Sequence, residues 1–320
     1  MLKNITIKKL YNQYDYDIDM GLEYGPIHFI TAPNGYGKTT ILEILNAMLT
    51  SRFDDLLRIP FEKVSLYFDD ATELRVEQKQ SFEDVDITLD VQEQPMVELT
   101  VRLIDHNGEN EKLLGEMYIS SDSNLMTRVT GLGNIEMYLA SKTCHYLTDS
   151  RLLRKKTDTV IAEHDLDSIS LNLYADILKK IINDPTQYPI YEKRIDAFKK
   201  IVDRSDFSSK FLEINKQFGF RFIAKDELST KIPLNSLSSG EKHLIIQVFE
   251  LLFNAQQGTL VLIDEPELSF HMMWQMNYLK MIQEIAKIRG FQYLIATHSP
   301  QIFNNMWSLT TDLYTNSLES

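Results

Sequence analysis

The chain has 320 residues, 43% of them apolar and 25% charged, a globular composition with length enough for a sizeable core. With 33 Lys and Arg against 46 Asp and Glu the net charge is −13, which argues against coating nucleic acid by bulk charge but leaves room for a local basic patch. A single cysteine, Cys144, excludes an intramolecular disulfide and a multi-cysteine metal site; apolar runs fall far short of the ~20 residues a bilayer needs, and the N-terminus has no signal-peptide core. A cytoplasmic protein with no membrane partner is expected.

Ile5 and Ile7 share one face of a first strand, and residues 16–20 repeat the alternation. After a turn at 21–26, residues 27–30 form an apolar strand. A Gly-rich loop follows, then a helix from 38 to about 49 with Ile41, Leu42, Ile44 and Leu45 on its apolar face. Short strands at 61–68, 73–78, 85–91, 97–104 and 113–119 predict an antiparallel meander over 61–119. Another strand is expected near 143–147. Residues 166–218 read as helical, broken at Pro185 and Pro189. A strand at 220–223 leads through a Ser/Gly loop to an apolar helix from 241 to about 254. The last third alternates: strand 259–263, helix 270–288, strand 292–296, short helix from 301. Such alternation implies parallel pairing and a doubly wound core.

The expected fold is therefore α/β: a mostly parallel sheet, of P-loop type given the Gly35-Tyr36-Gly37-Lys38-Thr39 run that follows residues 27–30, with an N-terminal antiparallel β meander and a helical insertion. One domain should span 1–320. Its sub-regions are a P-loop lobe at 1–150, a helical insertion at 151–218 and a third lobe at 219–320.

Four motifs carry the chemistry. Ala32-Pro33-Asn34-Gly35-Tyr36-Gly37-Lys38-Thr39, followed by Thr40, matches the P-loop pattern with Ala32 in place of the leading glycine. Its glycines let backbone N–H groups approach phosphate, Lys38 would bridge the β- and γ-phosphates, and Thr39 would place its hydroxyl on Mg²⁺. A bare turn between strand and helix is the alternative, and Gly-Lys-Thr-Thr argues against it. Residues 259–263 run apolar into Asp264 and Glu265, which suits an acid supporting Mg²⁺ and an acid polarising water. Alone, that pattern could be a buried strand with a polar end; beside a P-loop the functional reading prevails. Leu237-Ser238-Ser239-Gly240-Glu241 opens a helix, where Ser could simply cap. Ala296-Thr297-His298-Ser299 follows the last long strand, where a ligand-facing loop of an open sheet would lie.

Leu-Ser-Ser-Gly-Glu resembles the signature motif of ABC-class ATPases in its SMC/RecF/OLD-like form, and the resemblance runs through the whole chain in the expected motif order. It implies ATP and Mg²⁺ as ligands, with Asn34, Gly35, Tyr36, Gly37, Lys38, Thr39 and Thr40 on the phosphates. Ser238, Ser239, Gly240 and Glu241 would close on the nucleotide of a second copy. Thr39 and Asp264 would hold the metal, and Glu265, Lys38 and His298 would be catalytic, His298 as the switch histidine. Residues 266–271 resemble the segment after Walker B in OLD-like ATPases, which implies a place at the dimer interface. Where a Q-loop glutamine is expected, residues 145–151 offer Ser150 and Arg151 instead.

The resemblance extends to stand-alone ATPase subunits of bacterial anti-phage systems that work beside a TOPRIM-type nuclease. It implies an ATPase that dimerises around ATP and controls a separate effector, a nuclease or toxin. Other readings are a RecF/SMC-like DNA-repair clamp, a transporter nucleotide-binding subunit and an ATP-dependent scaffold of low turnover. Nucleic-acid contact stays possible through Arg151, Arg154, Lys155 and Lys156, or Lys193, Arg194, Lys199 and Lys200, clusters that are more often solvated helix faces. GTP is disfavoured because no Asn-Lys-x-Asp motif is present.

Overall fold

The structure is a computed structural model that describes residues 1–81, 96–108, 111–121, 129–130, 132–148, 177, 182–205, 210–215, 219–226 and 228–319. The predicted strand at 85–91 and the cluster at 151–156 lie outside these residues, as do Ser150 and Arg151.

Strands β1 (Leu2–Leu10) and β2 (Tyr14–Asp19) form an antiparallel hairpin with Ile5, Ile7, Tyr16 and Ile18 inward. The apolar β3 (Ile27–Thr31) then feeds the P-loop and α1 (Lys38–Leu49), the helix the periodicity predicts. The meander follows as β4 (Lys63–Phe68), β5 (Thr72–Ser81), β6 (Met96–Asp105), β7 (Lys112–Ser120) and β8 (Val129–Thr130). It is not separate from the N-terminus: β1 pairs with β4, so one antiparallel sheet runs β2-β1-β4-β5-β6-β7-β8.

Next come α2 (Leu132–Ala140), β9 (Cys144–Thr148) and α3 (Tyr188–Arg204). The helical reading of 166–218 fails at its end. Residues Lys210–Asn215 are strand β10, paired antiparallel with β11 (Gly219–Ala224), which also pairs with β12 (Lys231–Ile232). The reason is alternation: Leu212 is buried between exposed Phe211 and half-buried Glu213, opposite buried Phe222. Nor is the basic cluster of α3 wholly solvated, because Arg194 is buried with its guanidinium 5.0 Å from the Tyr191 ring centroid.

The remaining elements are α4 (Ser239–Phe249), continued by a π-helical turn (Glu250–Asn254), then β13 (Leu260–Asp264), α5 (Met272–Arg289), β14 (Gln292–Thr297), β15 (Thr310–Asp312) and α6 (Leu313–Glu319). The helix expected from 301 is instead a run of turns. Asn304 and Asn305 adopt left-handed φ of 53° and 57°, which a helix cannot carry. Strands β15, β3, β14, β13 and β9 pair in that order, all parallel.

This parallel sheet is buried on both faces, and its period of two divides the core. Val261, Ile263, Tyr293, Ile295 and Phe29 face one cluster with α3, α4 and α5. Leu260, Leu262, Leu294, Ala296 and Ile30 face another with α1 and the antiparallel sheet. The sheet is thereby clamped, and the loops at its C-terminal edge rest on a rigid base. No helix among the described residues is long and apolar enough to cross a membrane.

One ion-pair network braces the antiparallel sheet away from the motifs. Glu73 has no exposed surface, and its oxygens accept from Arg75 Nε and Nη2, each at 2.7 Å, and from His106 Nε2 at 2.8 Å. Burial works against this carboxylate, but the hydrogen bonds from Arg75 and His106 outweigh it and hold its pKa at about 2. A depressed pKa contributes stability above the ordinary value of 4.5 and loses it as pH falls toward about 2. Glu73→Gln is expected to cost about 3 kcal/mol at neutral pH, read from urea unfolding midpoints. The gap to the wild type should narrow steadily below the ordinary carboxylate range, and a constant gap down to strong acid would remove the ion pair as its cause.

Candidate functional site

Three adjacent strands of the parallel sheet deliver the motifs to one place. The chain leaves β3 into the P-loop, β14 into Thr297-His298 and β13 into Asp264-Glu265, and β14 lies between the other two. This is the C-terminal edge, where open α/β sheets bind ligands.

The P-loop needs its glycines. Gly35 and Gly37 have φ of 92° and 79°, and a Cβ on Gly37 would come 2.9 Å from Leu10 Cδ2. No side chain caps α1, so its first N–H groups are available to an anion. Lys38 is 5% exposed, and its Nζ donates to the Ala32 carbonyl at 3.0 Å while lying 2.7 Å from His298 Nε2. Burial lowers the Lys38 pKa, opposed by the charges of Glu265, Asp264 and Glu267.

Tyrosines absent from the predicted site brace this loop from outside. Tyr16 donates its hydroxyl to the Tyr36 carbonyl at 2.8 Å, the Tyr36 ring lies 5.3 Å from Tyr14 and 5.5 Å from Tyr314, and the Tyr11 hydroxyl is 2.8 Å from Thr40 Oγ1. No local pattern marks Tyr11 or Tyr16, because their role follows from the hairpin folding over the loop.

The acids sit in different settings. Burial raises the Asp264 pKa to about 6, against a lowering hydrogen bond with Thr39. Its Oδ1 is buried without a hydrogen-bond partner. Glu265 has left-handed φ and ψ of 46° and 56°, and its N–H donates to the Ala296 carbonyl at 2.9 Å. Such a conformation in a non-glycine residue costs about 1–2 kcal/mol and is retained where surroundings over-determine it. His298 Nε2 lies 2.9 Å from Glu265 Oε1. That nitrogen therefore stands between Glu265 and Lys38. It can donate to the carboxylate or accept from the ammonium, but a single proton position does not serve both.

The predicted signature residues lie at the start of α4. Ser238 and Glu241 form a reciprocal capping box: Ser238 N–H donates to Glu241 Oε2 at 2.8 Å and Glu241 N–H to Ser238 Oγ at 3.3 Å. Glu241 Oε1 also takes Lys210 Nζ at 2.7 Å, so this buried carboxylate serves the helix end. Ser239 is exposed and Gly240 buried.

Thr39 with the unpaired Asp264 Oδ1 fits an Mg²⁺ ion. Among the described residues no group of three or more His, Cys, Asp or Glu side chains could hold a metal, so other ligands would have to be phosphate oxygens and water.

A parallel sheet whose strand ends gather a P-loop, two acids and a histidine is an α/β fold of the P-loop type. The family profile described as "AAA domain, putative AbiEii toxin, Type IV TA system" matches residues 144–304, just over half of the chain. The chain belongs to this AAA domain family. No curated protein matches it in a sequence comparison. Among solved structures, it is similar to an SMC head bound to the C-winged helix domain of ScpA, with 14% identity and a TM-score of 0.48 over 95% of this chain and 91% of that one. It is also similar to the SMC head domain from Thermotoga maritima, with 11% identity and a TM-score of 0.44 over 94% and 90% of the two chains. A third is the Smc head with an extended coiled coil bound to the C-terminal domain of ScpA derived from Pyrococcus furiosus, with 13% identity and a TM-score of 0.43 over 95% and 91%.

Proposed function

We propose that this chain binds and hydrolyses ATP as one domain over 1–320, and that closure of two copies around ATP controls a separate effector, a nuclease or toxin, in bacterial anti-phage defence. The observation that carries hydrolysis is the gathering of Lys38, Glu265 and His298 within hydrogen-bond reach at the ends of adjacent strands. Lys38 and the N–H groups of 34–40 bind the phosphates. Thr39 and Asp264 would hold Mg²⁺, which supplies charge neutralisation on phosphate oxygens. Glu265 orients the attacking water, and His298, held against Glu265, faces the terminal phosphate. The family's description, naming a toxin–antitoxin system, is compatible with an effector partner. A net charge of −13 makes the DNA-clamp reading less favourable.

Closure rests on the signature. Ser239 and Gly240 start a helix of 11 residues, whose N-terminus attracts anions, yet the signature residues bond to each other and to Lys210. In the proposed pair this helix end meets the phosphate of the other copy. Mixing Lys38→Ala and Ser239→Arg proteins should then recover about a quarter of the wild-type ATP turnover, because half the pairs are mixed and each holds one intact site. No recovery above either parent, with both variants folded and paired, would sink the shared site.

A further inference from the structure

We infer that Glu267 is a positioning residue for hydrolysis: its carboxylate holds the backbone of His298 so that the imidazole stays against Glu265. The inference rests on the hydrolysis reading above.

Glu267 lies in the short 3₁₀ turn Pro266–Ser269 that follows Glu265. Its Oε1 accepts the His298 N–H at 2.6 Å, a short charge-assisted bond. In the opposite direction the Glu265 N–H donates to the Ala296 carbonyl at 2.9 Å. The turn after β13 and the loop after β14 are thus laced together on both sides of the histidine. A third tie lies one residue on, where Ser299 Oγ meets Gln275 Oε1 at 2.7 Å while Gln275 Nε2 donates to the Phe270 carbonyl at 2.9 Å. The imidazole that results has little freedom left. Its Nε2 is 2.9 Å from Glu265 Oε1 and 2.7 Å from Lys38 Nζ.

The other oxygen of Glu267 makes the arrangement expensive. Oε2 is shielded from solvent and has no hydrogen-bond partner. A buried charged oxygen without a donor opposes folding, so a neutral acceptor would hold the same N–H at lower cost to stability. The acceptor at this point, kept against the stability of the turn, is what a site needing a fixed histidine backbone retains. Glu267 touches neither phosphate nor water in this account; it acts through His298.

Glu267→Met fills the space without an acceptor, and Glu267→Gln keeps an acceptor without the charge. Steady-state ATP turnover and KM would be measured for both, and for each combined with His298→Ala, with thermal unfolding alongside. Glu267→Met should lower kcat at least about tenfold with KM within about threefold, since loss of orientation acts on the reacting geometry and not on phosphate binding. Glu267→Gln should restore kcat to within about threefold of the wild type, because its amide oxygen still accepts the N–H. In the His298→Ala background Glu267→Met should add less than about threefold, as residues acting through one another are not additive.

An unchanged kcat in Glu267→Met would overturn the inference. So would full multiplication of the Glu267 and His298 effects, or a loss in Glu267→Gln as deep as in Glu267→Met. Should Glu267→Met unfold, Glu267→Ala, which also lacks an acceptor but adds no bulk, alone and combined with His298→Ala, decides the same question. A wild type with no turnover would remove the hydrolysis reading and this inference with it, whereas wild-type turnover with indifferent Glu267 variants removes this inference alone.

Discussion

Glu265→Gln is expected to lower ATP turnover at least about a hundredfold while leaving ATP affinity within a few-fold. The amide keeps the size of the carboxylate and tolerates the same left-handed backbone, so the link from residue 265 N–H to the Ala296 carbonyl at 2.9 Å should persist. What disappears is the negative oxygen that lies 2.9 Å from His298 Nε2 and would orient a water for attack. Phosphate binding does not depend on that charge. In the proposed mechanism it depends on Lys38, the N-terminus of α1 and the glycine loop. The variant should therefore accumulate with ATP bound, and in the proposed pair it should stay closed. Nucleotide affinity by titration and phosphate release by steady-state assay separate the two effects. Undiminished turnover in Glu265→Gln would exclude the residue from the chemistry, and a parallel collapse of affinity would make its role one of binding.

Lys38→Ala is expected to act on the other term, weakening ATP binding by about 2–4 kcal/mol, at least thirtyfold in affinity. Lys38 is 5% exposed, so its ammonium is already largely stripped of water before any phosphate arrives. Burial lowers its pKa, and the nearby charges of Glu265, Asp264 and Glu267 oppose that shift. Without the ammonium those three acids have no counter-charge of this kind, and an incoming polyphosphate meets uncompensated repulsion. Alanine at the first position of α1 is a good helix former, so the helix should survive. Its unfolding temperature, measured beside affinity, checks that. An affinity unchanged in a folded Lys38→Ala protein would remove the P-loop from nucleotide binding.

Residue spacing alone located much of this molecule. The helix at Lys38–Leu49 agrees with its periodicity because a glycine turn precedes it and apolar residues recur on one face. Strands β13 and β14 were legible because a strand buried on both faces is apolar throughout. The capping box of Ser238 and Glu241 is a local pattern too, three residues apart, although its tie to Lys210 is not. Errors fell where the local signal was weak or where a contact from elsewhere decided the outcome. Strand β10 lies in a stretch whose pattern predicts a helix, since Leu212 becomes a core residue only when Phe222, on the expected strand β11, lies opposite. Strand β15 is three residues long and exists by pairing with β3, which no periodicity could announce. For Arg194 charge predicts exposure, whereas Tyr191 gives its guanidinium an aromatic face to lie on.

The site divides the same way. Sequence by itself determined that a P-loop, an acidic pair and a histidine are present, since each is a run of neighbours with its own chemistry. Tertiary structure decided that they meet. Lys38 and His298 are separated by 260 positions and come within 2.7 Å because β3 and β14 are neighbours in a parallel sheet. Glu265 joins them because β13 pairs on the far side of β14. Tyr11 on Thr40, Tyr16 on the Tyr36 carbonyl and Glu267 on the His298 N–H belong to this second kind. A tyrosine or glutamate has no local signature for such work, because its partner is chosen by strand order and by which loops that order brings side by side.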